Sequence, residues 1–289
     1  MVIRLFLVNE KIPFPEYPNF RIYNIAYSDT DDERDAITTN YRAIVHNNRL
    51  ISIVRERKAY SVIPHELIYE TAVNITKEKN LILVDRFTTY SRKDKKFVIT
   101  LLDPRHTFEF DGDKYTLGIT ISNSYDYSMS LTASLYLHRE TYVDGEVRTS
   151  GLFMPIDLFK LRHIGNVYSL INRYEDIMNQ VFDKKDIVIK FLQDMKNMKL
   201  TPRLVFRLKD FIPLRVLRKF AIVERRSTEK DITITKDANM LEVLNAYTYH
   251  YTNEQRMNST NAYRIQRSLV RALMEEASGS DSRTSGIHG

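Results

Sequence analysis

The stretch YTLGITISNSYDYSMSLTASLYLHRE, residues 115–140, decides the fold class. β-Branched and aromatic residues dominate two runs within it, Tyr115–Ser122 and Leu131–Leu137, as is typical of β-strands. Asp-Gly pairs stand before the first run, at 111–112, and after the second, at 144–145. Because Asp-Gly is the strongest short signal for a hairpin turn, the stretch predicts consecutive antiparallel strands.

Strand signals continue upstream of this stretch. Runs of the same composition predict two more strands, Leu81–Tyr90 and Phe97–Leu102. The segment 41–54 predicts a hairpin, because Asn47-Asn48 tolerates a positive φ between two apolar runs. Helical apolar spacing predicts one helix over 64–79. We therefore expect an antiparallel, mostly meander sheet in the N-terminal half.

Helical periodicity replaces the strand pattern near Met154. The predicted helices cover 164–181, 187–198 (a second helix or a bent continuation of the first), 240–247 behind a capping Asp237, and 259–277. Thr201-Pro202 should interrupt the second helical pattern, and Pro213 allows only short elements within 203–223. Residues 231–235 alternate like a short strand.

This order of strands followed by helices predicts an α+β fold, with the antiparallel sheet packed against the C-terminal helices. We expect a single domain over 1–277, strand-rich over 1–153 and helix-rich over 154–277. The Ser- and Gly-rich segment 278–289 is expected to be a disordered tail.

The composition excludes several classes of protein. The chain has 289 residues and no Cys, which removes disulfides, thiolate metal sites and cysteine nucleophiles. No run approaches the ~18–20 apolar residues that a membrane-spanning helix needs, so no membrane contact is expected. The N-terminus lacks a small-residue cleavage site and predicts a first strand rather than a secretory signal. We expect a cytoplasmic protein.

Catalytic motifs are also absent. The sequence contains no Gly-rich phosphate loop, no nucleophile elbow and no zinc-binding HExxH, so we expect no catalytic residues, no metal and no cofactor. His65-Glu66 opens a predicted helix and is interpreted as a surface or capping pair rather than as metal ligands. A site assembled from distant residues, such as that of a metal-dependent nuclease, would leave no local motif.

Positive charge is concentrated in one segment. The chain carries a net charge of +6, whereas residues 181–226 alone hold 13 Lys/Arg against 5 Asp/Glu. Such a segment is typical of a polyanion partner, either nucleic acid or an anionic membrane surface, although a solvated helical face is the alternative. The residues predicted to bind nucleic acid, single-stranded DNA in the first place, are Lys184, Lys185, Lys190, Arg203, Arg207, Arg215, Arg218, Lys219, Arg225 and Arg226. Tyrosines near the sheet (125, 127, 136) and on the late helix (247, 249, 251) either stack on bases or pack in the core.

Three separated segments carry a family resemblance. They are residues 115–140, LRHIGN (161–166) and NMLEVLNAYTYHYTNE (239–254). In this order, with YRAIVHNN and YSVIPHEL upstream, they resemble the phage- and plasmid-like "domain of unknown function 932" family over roughly residues 40–255. The chain departs from the family at ETYVDGEV (140–147), where members often carry Cys-x-Asn-Gly. The resemblance implies a mobile-element origin and, by analogy, a similarity to RecT/Erf-type single-strand annealing proteins.

The resemblance also transfers candidate residues. The turn would be Asn123, Ser124, Tyr125 and Asp126; the helix start would contribute Arg162, His163 and Asn166; the late helix would contribute Asn245 and Thr248. Each has a structural alternative. Asn123 and Asp126 fit a turn between strands, Arg162-His163 suits either a phosphate contact or a cap, and Asn245 and Thr248 suit bonds to another element.

Two functions from different classes follow. The first is a non-enzymatic DNA-binding protein of a virus, phage or plasmid, binding or annealing single strands in recombination or replication within the host cytoplasm. The second is a structural or interaction protein of a mobile element, a virion component or an inhibitor of host defence, without affinity for nucleic acid. Either function is compatible with a homo-oligomer.

Overall fold

The computed structural model describes residues 4–11, 16–30, 32, 34, 36–55, 63–84, 89–90, 95–126, 128–143, 145–161, 180, 183–219, 223–225, 232–234, 238–254 and 259–284. This part of the chain is α+β, as the sequence predicts. Its strands form two main antiparallel sheets rather than the single sheet that we expected.

The first sheet contains four antiparallel strands in chain order, β1 (Arg4–Lys11), β2 (Phe20–Ser28), β3 (Ile37–His46) and β4 (Arg49–Arg55). The predicted hairpin is confirmed between β3 and β4. Asn47 and Asn48 turn the chain with φ values of 50° and 58°, in the left-handed region that Asn tolerates.

The second sheet has the order β10-β9-β8-β7-β5, and β6 also pairs with β7. Its strands are β5 (Ile82–Leu83), β6 (Thr89–Tyr90), β7 (Lys96–Phe110), β8 (Asp113–Ser124), β9 (Leu131–Val143) and β10 (Glu146–Leu161). The predicted meander is confirmed for β7 to β10, with Asp111 and Gly112 at φ values of 54° and 81° in the first turn. The predicted strand 81–90 is instead two short strands, and β10 continues past residue 153.

The helices are α1 (His65–Lys79), α2 (Lys185–Asn197), α3 (Pro202–Arg207), α4 (Leu214–Lys219), α5 (Met240–Tyr249) with a π-helical turn (His250–Glu254), and α6 (Ser259–Thr284). A small ribbon pairs β11 (Val223–Arg225) with β12 (Ile232–Ile234). The predicted helix 164–181 lies outside the described residues apart from residue 180.

Two helix ends differ from the prediction. Asn239, not Asp237, caps α5: its side chain accepts a hydrogen bond from the Glu242 backbone N–H at 3.0 Å, whereas Asp237 lies outside the described residues. The last helix continues to Thr284, beyond residue 277, where we expected a disordered tail to begin.

Helices cover both faces of the second sheet. One face packs with α1, α2 and α5 in the main core, whereas Val98, Tyr136 and Phe153 on the other face pack with Ala262 and Tyr263 of α6. A strand that is covered on both faces is buried along its length, and β8 is buried from Tyr115 to Ser124. The face under α6 is rich in hydroxyl groups, among them the buried Thr100, Thr120 and Ser134.

Candidate functional site

The predicted basic residues are spread over several short elements. Lys184 precedes α2, Lys185 is its first residue, and Lys190 is exposed farther along the helix. The ammonium group of Lys185 lies 5.6 Å from the centroid of the Phe108 ring, so part of this side chain is used in packing.

The basic residues of α3 and α4 are only partly available to a ligand. Arg207 of α3 forms an ion pair with Glu276 of α6, and the Lys219 ammonium lies 2.5 Å from a Glu254 carboxylate oxygen. Arg203, Arg215 and Arg218 are exposed. Arg225 pairs with Ile232 in the ribbon that packs on α4, and Arg226 lies outside the described residues. The charges of Arg207 and Lys219 are therefore neutralised within the fold.

Asn123 and Tyr125 belong to a buried cluster, not to a surface turn. Asn123 is the penultimate residue of β8, and its amide nitrogen donates to the Ile63 carbonyl and to Nδ1 of His65, both at 3.1 Å. The prediction of Asn123 as a turn residue is therefore wrong. The Tyr125 hydroxyl accepts a hydrogen bond from the His65 backbone N–H at 2.8 Å, and the two rings stack with centroids 3.8 Å apart. This contact satisfies one of the free N–H groups at the start of α1.

His65 is buried, with 1% exposure, so its interpretation as a surface residue is also wrong. Tyr125 packs with Phe20 and Ile44 of the first sheet and thereby joins the two sheets. Both corrections have the same physical reason. Asn123, at the end of β8, and Tyr125, just after it, lie beside the start of α1, which is distant in sequence.

Asp126 has the role of a turn residue. Its carboxylate accepts hydrogen bonds from the backbone N–H of Ser128 at 3.1 Å and from the Ser128 hydroxyl at 2.5 Å. Arg162 and His163 lie outside the described residues.

The candidate residues of α5, Asn245 and Thr248, face other parts of the fold. Thr248 is buried, and its hydroxyl donates to the Asn245 carbonyl at 3.1 Å and to the Ser150 hydroxyl of β10 at 3.5 Å. Asn245 lines a void of about 10 Å³ beside Tyr115 and Ser150. Tyr247 is buried, which raises the pKa of its hydroxyl, and it packs edge-on against Tyr251 rather than facing a ligand.

The structure assembles a different basic site under the N-terminal half of α6. A half-enclosed cavity of about 400 Å³ lies between α6, the ends of β7 to β10 and the turn after β8. Its described lining residues include five cations, Lys96, Lys160, Arg264, Arg267 and Arg271, and one carboxylate, Asp157, which together carry a net charge of +4. We call this site the basic cavity.

Strand register builds the floor of the basic cavity. Ser122 of β8 pairs with Thr132 of β9, and Thr132 pairs with Lys160 of β10. Because directly paired residues place their side chains on the same face of a sheet, two hydroxyl groups and an ammonium group form one row. In the adjacent row, Ser134 pairs with Asp157 and donates to its carboxylate at 3.0 Å.

Helix α6 forms the opposite wall. Arg264, Arg267, Ser268 and Arg271 follow the three- and four-residue spacing that places side chains on one helix face. Tyr263, beside this face, is buried. Its hydroxyl group accepts a hydrogen bond from the Ser122 hydroxyl at 3.3 Å and shares one with the Ser134 hydroxyl at 3.1 Å.

Arg267 is held rigidly in the wall. Its guanidinium group donates to Asp157 at 2.6 Å, to the Ser134 hydroxyl at 2.5 Å and to the Met154 carbonyl at 3.2 Å. The group also lies 5.0 Å from the centroid of the Tyr263 ring. Arg267 therefore neutralises Asp157, the one carboxylate among the described lining residues, and fixes α6 against the sheet.

Three other cations remain available to a ligand. Lys160, Arg264 and Arg271 are exposed, and within the described part of the chain none of them forms an ion pair or a hydrogen bond. The sequence analysis missed all five cations of the basic cavity because its charge count concentrated on 181–226. A sequence signal was present, since Arg264, Arg267 and Arg271 recur at helical spacing in the last predicted helix.

Two further searches concern metals and membranes. Within the described ranges, no three His, Asp or Glu side chains are grouped so that they could hold a metal ion. Among the described helices, none combines the length and apolarity required to cross a membrane. Comparison with family models, with curated proteins and with solved structures finds no match for this chain.

Proposed function

We propose that the protein binds nucleic acid, single-stranded DNA in the first place, and that the basic cavity holds its phosphate groups. The observation that supports this function is the described lining of the cavity, in which five cations accompany one carboxylate that is already paired with Arg267. A cluster of positive charge of this kind attracts a polyanion and raises its rate of association.

The other lining groups suit the same ligand. Phosphate oxygens in nucleic-acid complexes accept hydrogen bonds from Arg and Lys and from Ser and Thr hydroxyls. Ser130 and Ser268 line the basic cavity in addition to the row from Ser122 to Lys160. The described lining therefore offers charged and neutral hydrogen-bond donors together.

The biological setting in this proposal comes from the resemblance to mobile-element proteins. It is a non-enzymatic role in recombination or replication, including strand annealing, in the cytoplasm of the host. The cavity itself supports the phosphate contact, and the resemblance supports the setting.

The salt dependence of binding tests the proposed function. Fluorescence anisotropy of a labelled single strand of ~30 nucleotides would be measured between ~50 and ~200 mM salt. We expect the parent to lose at least about tenfold in affinity over this range, because each neutralised phosphate releases counterions. A cavity variant, Lys160→Gln/Arg264→Gln/Arg271→Gln, should bind more weakly and with a salt slope that is smaller by about 2. An absence of binding by the parent at ~50 mM salt would refute the proposal.

A second candidate function, contact with protein, is favoured by the first sheet. Leu5, Tyr27 and Ile37 are paired across three adjacent strands and are 64%, 40% and 60% exposed. Contiguous exposed apolar side chains mark contact surfaces, and β1 lies at the edge of its sheet, where a further strand can pair. We propose a second copy of the chain as the occupant of this edge, because two identical edge strands can pair with each other.

Light scattering of the pure protein tests that candidate. We expect the mass of a dimer for the parent and of a monomer for Leu5→Lys/Ile37→Lys. A monomeric parent would contradict edge-to-edge pairing without affecting the basic cavity.

A further inference from the structure

We infer that the basic cavity takes a terminal phosphate monoester, so that it recognises the phosphorylated end of a strand rather than its continuous backbone. This inference rests on the proposed function and narrows its ligand. It is supported by the short positive face of α6, by the volume and the charge of the cavity and by the position of Arg267.

The positive face of α6 is short. Arg264 and Arg271 are separated by about 10 Å along the helix axis at 1.5 Å per residue. Glu275 follows on the same face, one turn later, and is exposed. Its carboxylate repels a phosphate backbone that continues along α6, so the attractive face of the described part of this helix ends within the length of one or two nucleotides.

The volume of the cavity also favours a terminal phosphate group. A space of about 400 Å³ corresponds to roughly 13 water molecules at about 30 Å³ each, which suits a phosphate group with its attached sugar. The sheet floor, the turn after β8 and α6 enclose this space on three sides. An end group enters such a space more readily than the middle of a strand.

The charge of the cavity matches a monoester better than a diester. A phosphate monoester carries about −1.5 to −2 at pH 7 and three terminal oxygens, whereas a backbone diester carries about −1 and two. Lys160, Arg264 and Arg271 form no ion pair within the described residues, so three cations can meet the additional charge and oxygen.

Arg267 acts as a positioning residue in this arrangement. Its bonds to Asp157, Ser134 and Met154 fix the wall from which Arg264 and Arg271 project. The ligand would therefore meet exposed cations on a helix that Arg267 fixes in place.

The test compares strands that differ only at their ends. An internally labelled strand of ~12 nucleotides would be prepared with a 5′-phosphate, a 3′-phosphate or hydroxyl groups at both ends. At low salt we expect the parent to bind one phosphorylated form at least about tenfold more tightly than the hydroxyl form, because the terminal group adds charge and one oxygen. The ratio should fall to about one in the cavity variant. It should persist in a matched helix variant, Lys190→Gln/Arg203→Gln/Arg218→Gln, which loses the same number and kinds of charge from exposed positions outside the cavity.

The outcomes separate this inference from the proposed function. Equal binding of all three strands by the parent would overturn the terminal-phosphate inference and leave the proposed function standing. No binding of any strand would overturn both. Competition with a nucleoside 5′-monophosphate and with inorganic phosphate distinguishes the sources: displacement by the nucleotide alone supports a monoester carried on a sugar, and equal displacement by inorganic phosphate overturns recognition of a strand end.

The pH dependence provides a separate readout. The titratable side chains lining the cavity are Lys96, Lys160, Asp157, Tyr263 and the three arginines, and no histidine is among the described lining residues. A phosphate monoester takes up its second proton near pH 6 and thereby loses about half of its charge. The preference for the phosphorylated strand should therefore decrease as the pH falls from about 7.5 to about 5.5. A constant preference would contradict recognition of the dianion.

Discussion

At the scale of single residues, Arg267 connects the proposed site to the fold. Replacement of Arg267 by Met keeps much of the apolar stem but removes three hydrogen bonds, to Ser134, Met154 and Asp157. We expect the free energy of unfolding to fall by about 2 kcal/mol, because bonds to charged groups contribute about 1.5–3 kcal/mol. Urea unfolding measures the change. Arg271→Gln is the control and should stay within about 0.5 kcal/mol of the parent, as is typical of surface changes.

If Arg271→Gln lost as much stability as Arg267→Met, the difference in role between the two arginines, one structural and one free for a ligand, would be contradicted. Arg267 would then not be the residue that holds the wall.

Asp103 gives the fold a specific sensitivity to acid. Its side chain is fully buried, and burial alone would raise the pKa of this carboxyl group. Hydrogen bonds from the side chain and backbone N–H of Arg105, with a contribution from His106, outweigh burial and lower the pKa below its ordinary value of 3.8. The ionised form therefore stabilises the folded state above the unfolded pKa, and this stabilisation is lost as the pH falls through the lower, folded value.

The variant Asp103→Asn tests this linkage. At pH 7 it should unfold at a lower urea concentration than the parent. The difference should shrink as the pH falls below the unfolded pKa of about 3.9, because the unfolded parent then takes up a proton that the folded carboxylate does not. A difference that stays constant from pH 7 into this acid range would contradict the assignment.

At the scale of elements, the close pairing of β7 and β8 depends on a glycine. A Cβ atom at Gly118 would overlap the Leu101 carbonyl oxygen and would lie 2.9 Å from Cδ2 of Leu102. We expect Gly118→Ala to destabilise the protein by about 3 kcal/mol, because backbone atoms cannot move aside in a sheet covered on both faces.

Gly112→Ala is the comparison for that change. Gly112 has a φ of 81° but nothing within 4 Å of the added atom, so only the strained backbone contributes, about 1 kcal/mol. Thermal unfolding of the two variants measures the difference. Equal destabilisation would refute the steric explanation at Gly118.

The pattern of neighbouring residues in the sequence predicts those strands, turns and helices whose conformation depends mainly on these same residues. The Asn47-Asn48 and Asp111-Gly112 hairpins, α1 and the long strands of the meander are all confirmed, since positive-φ residues and apolar spacing act within one element. The division into two sheets was not predicted, because the order of strands between hairpins depends on packing. Asn123 was placed in a turn because an Asx side chain there has the same local signature as one that bonds a distant helix.

The basic cavity illustrates the other limit of the sequence. Lys96, Lys160 and Arg271 come from three elements that are far apart in the chain, and no window of sequence contains them together. The one local part of the signal was the arginine spacing on α6. A prediction that considered helix faces, and not only charge per segment, would have found that wall of the site.

At the scale of the whole molecule, two regions carry positive charge, the segment 181–226 and the basic cavity. The segment 181–226 has the larger net charge, yet Arg207 and Lys219 within it are ion-paired with Glu276 and Glu254. The basic cavity has fewer cations, but they converge on one half-enclosed space, and Asp157, the one carboxylate among its described lining residues, is paired with Arg267. Convergence rather than total charge is therefore the basis for placing the phosphate site under α6.

The most direct test of this claim is the affinity of the cavity variant and the helix variant for one single-stranded DNA, side by side at a single salt concentration of ~100 mM. Both variants lose one lysine and two arginines, so the change in overall charge is the same. We predict that the cavity variant binds at least about tenfold more weakly than the parent and that the helix variant binds within about threefold of it. The reverse order, with the helix variant impaired and the cavity variant unchanged, would contradict the placement of the phosphate site in the basic cavity.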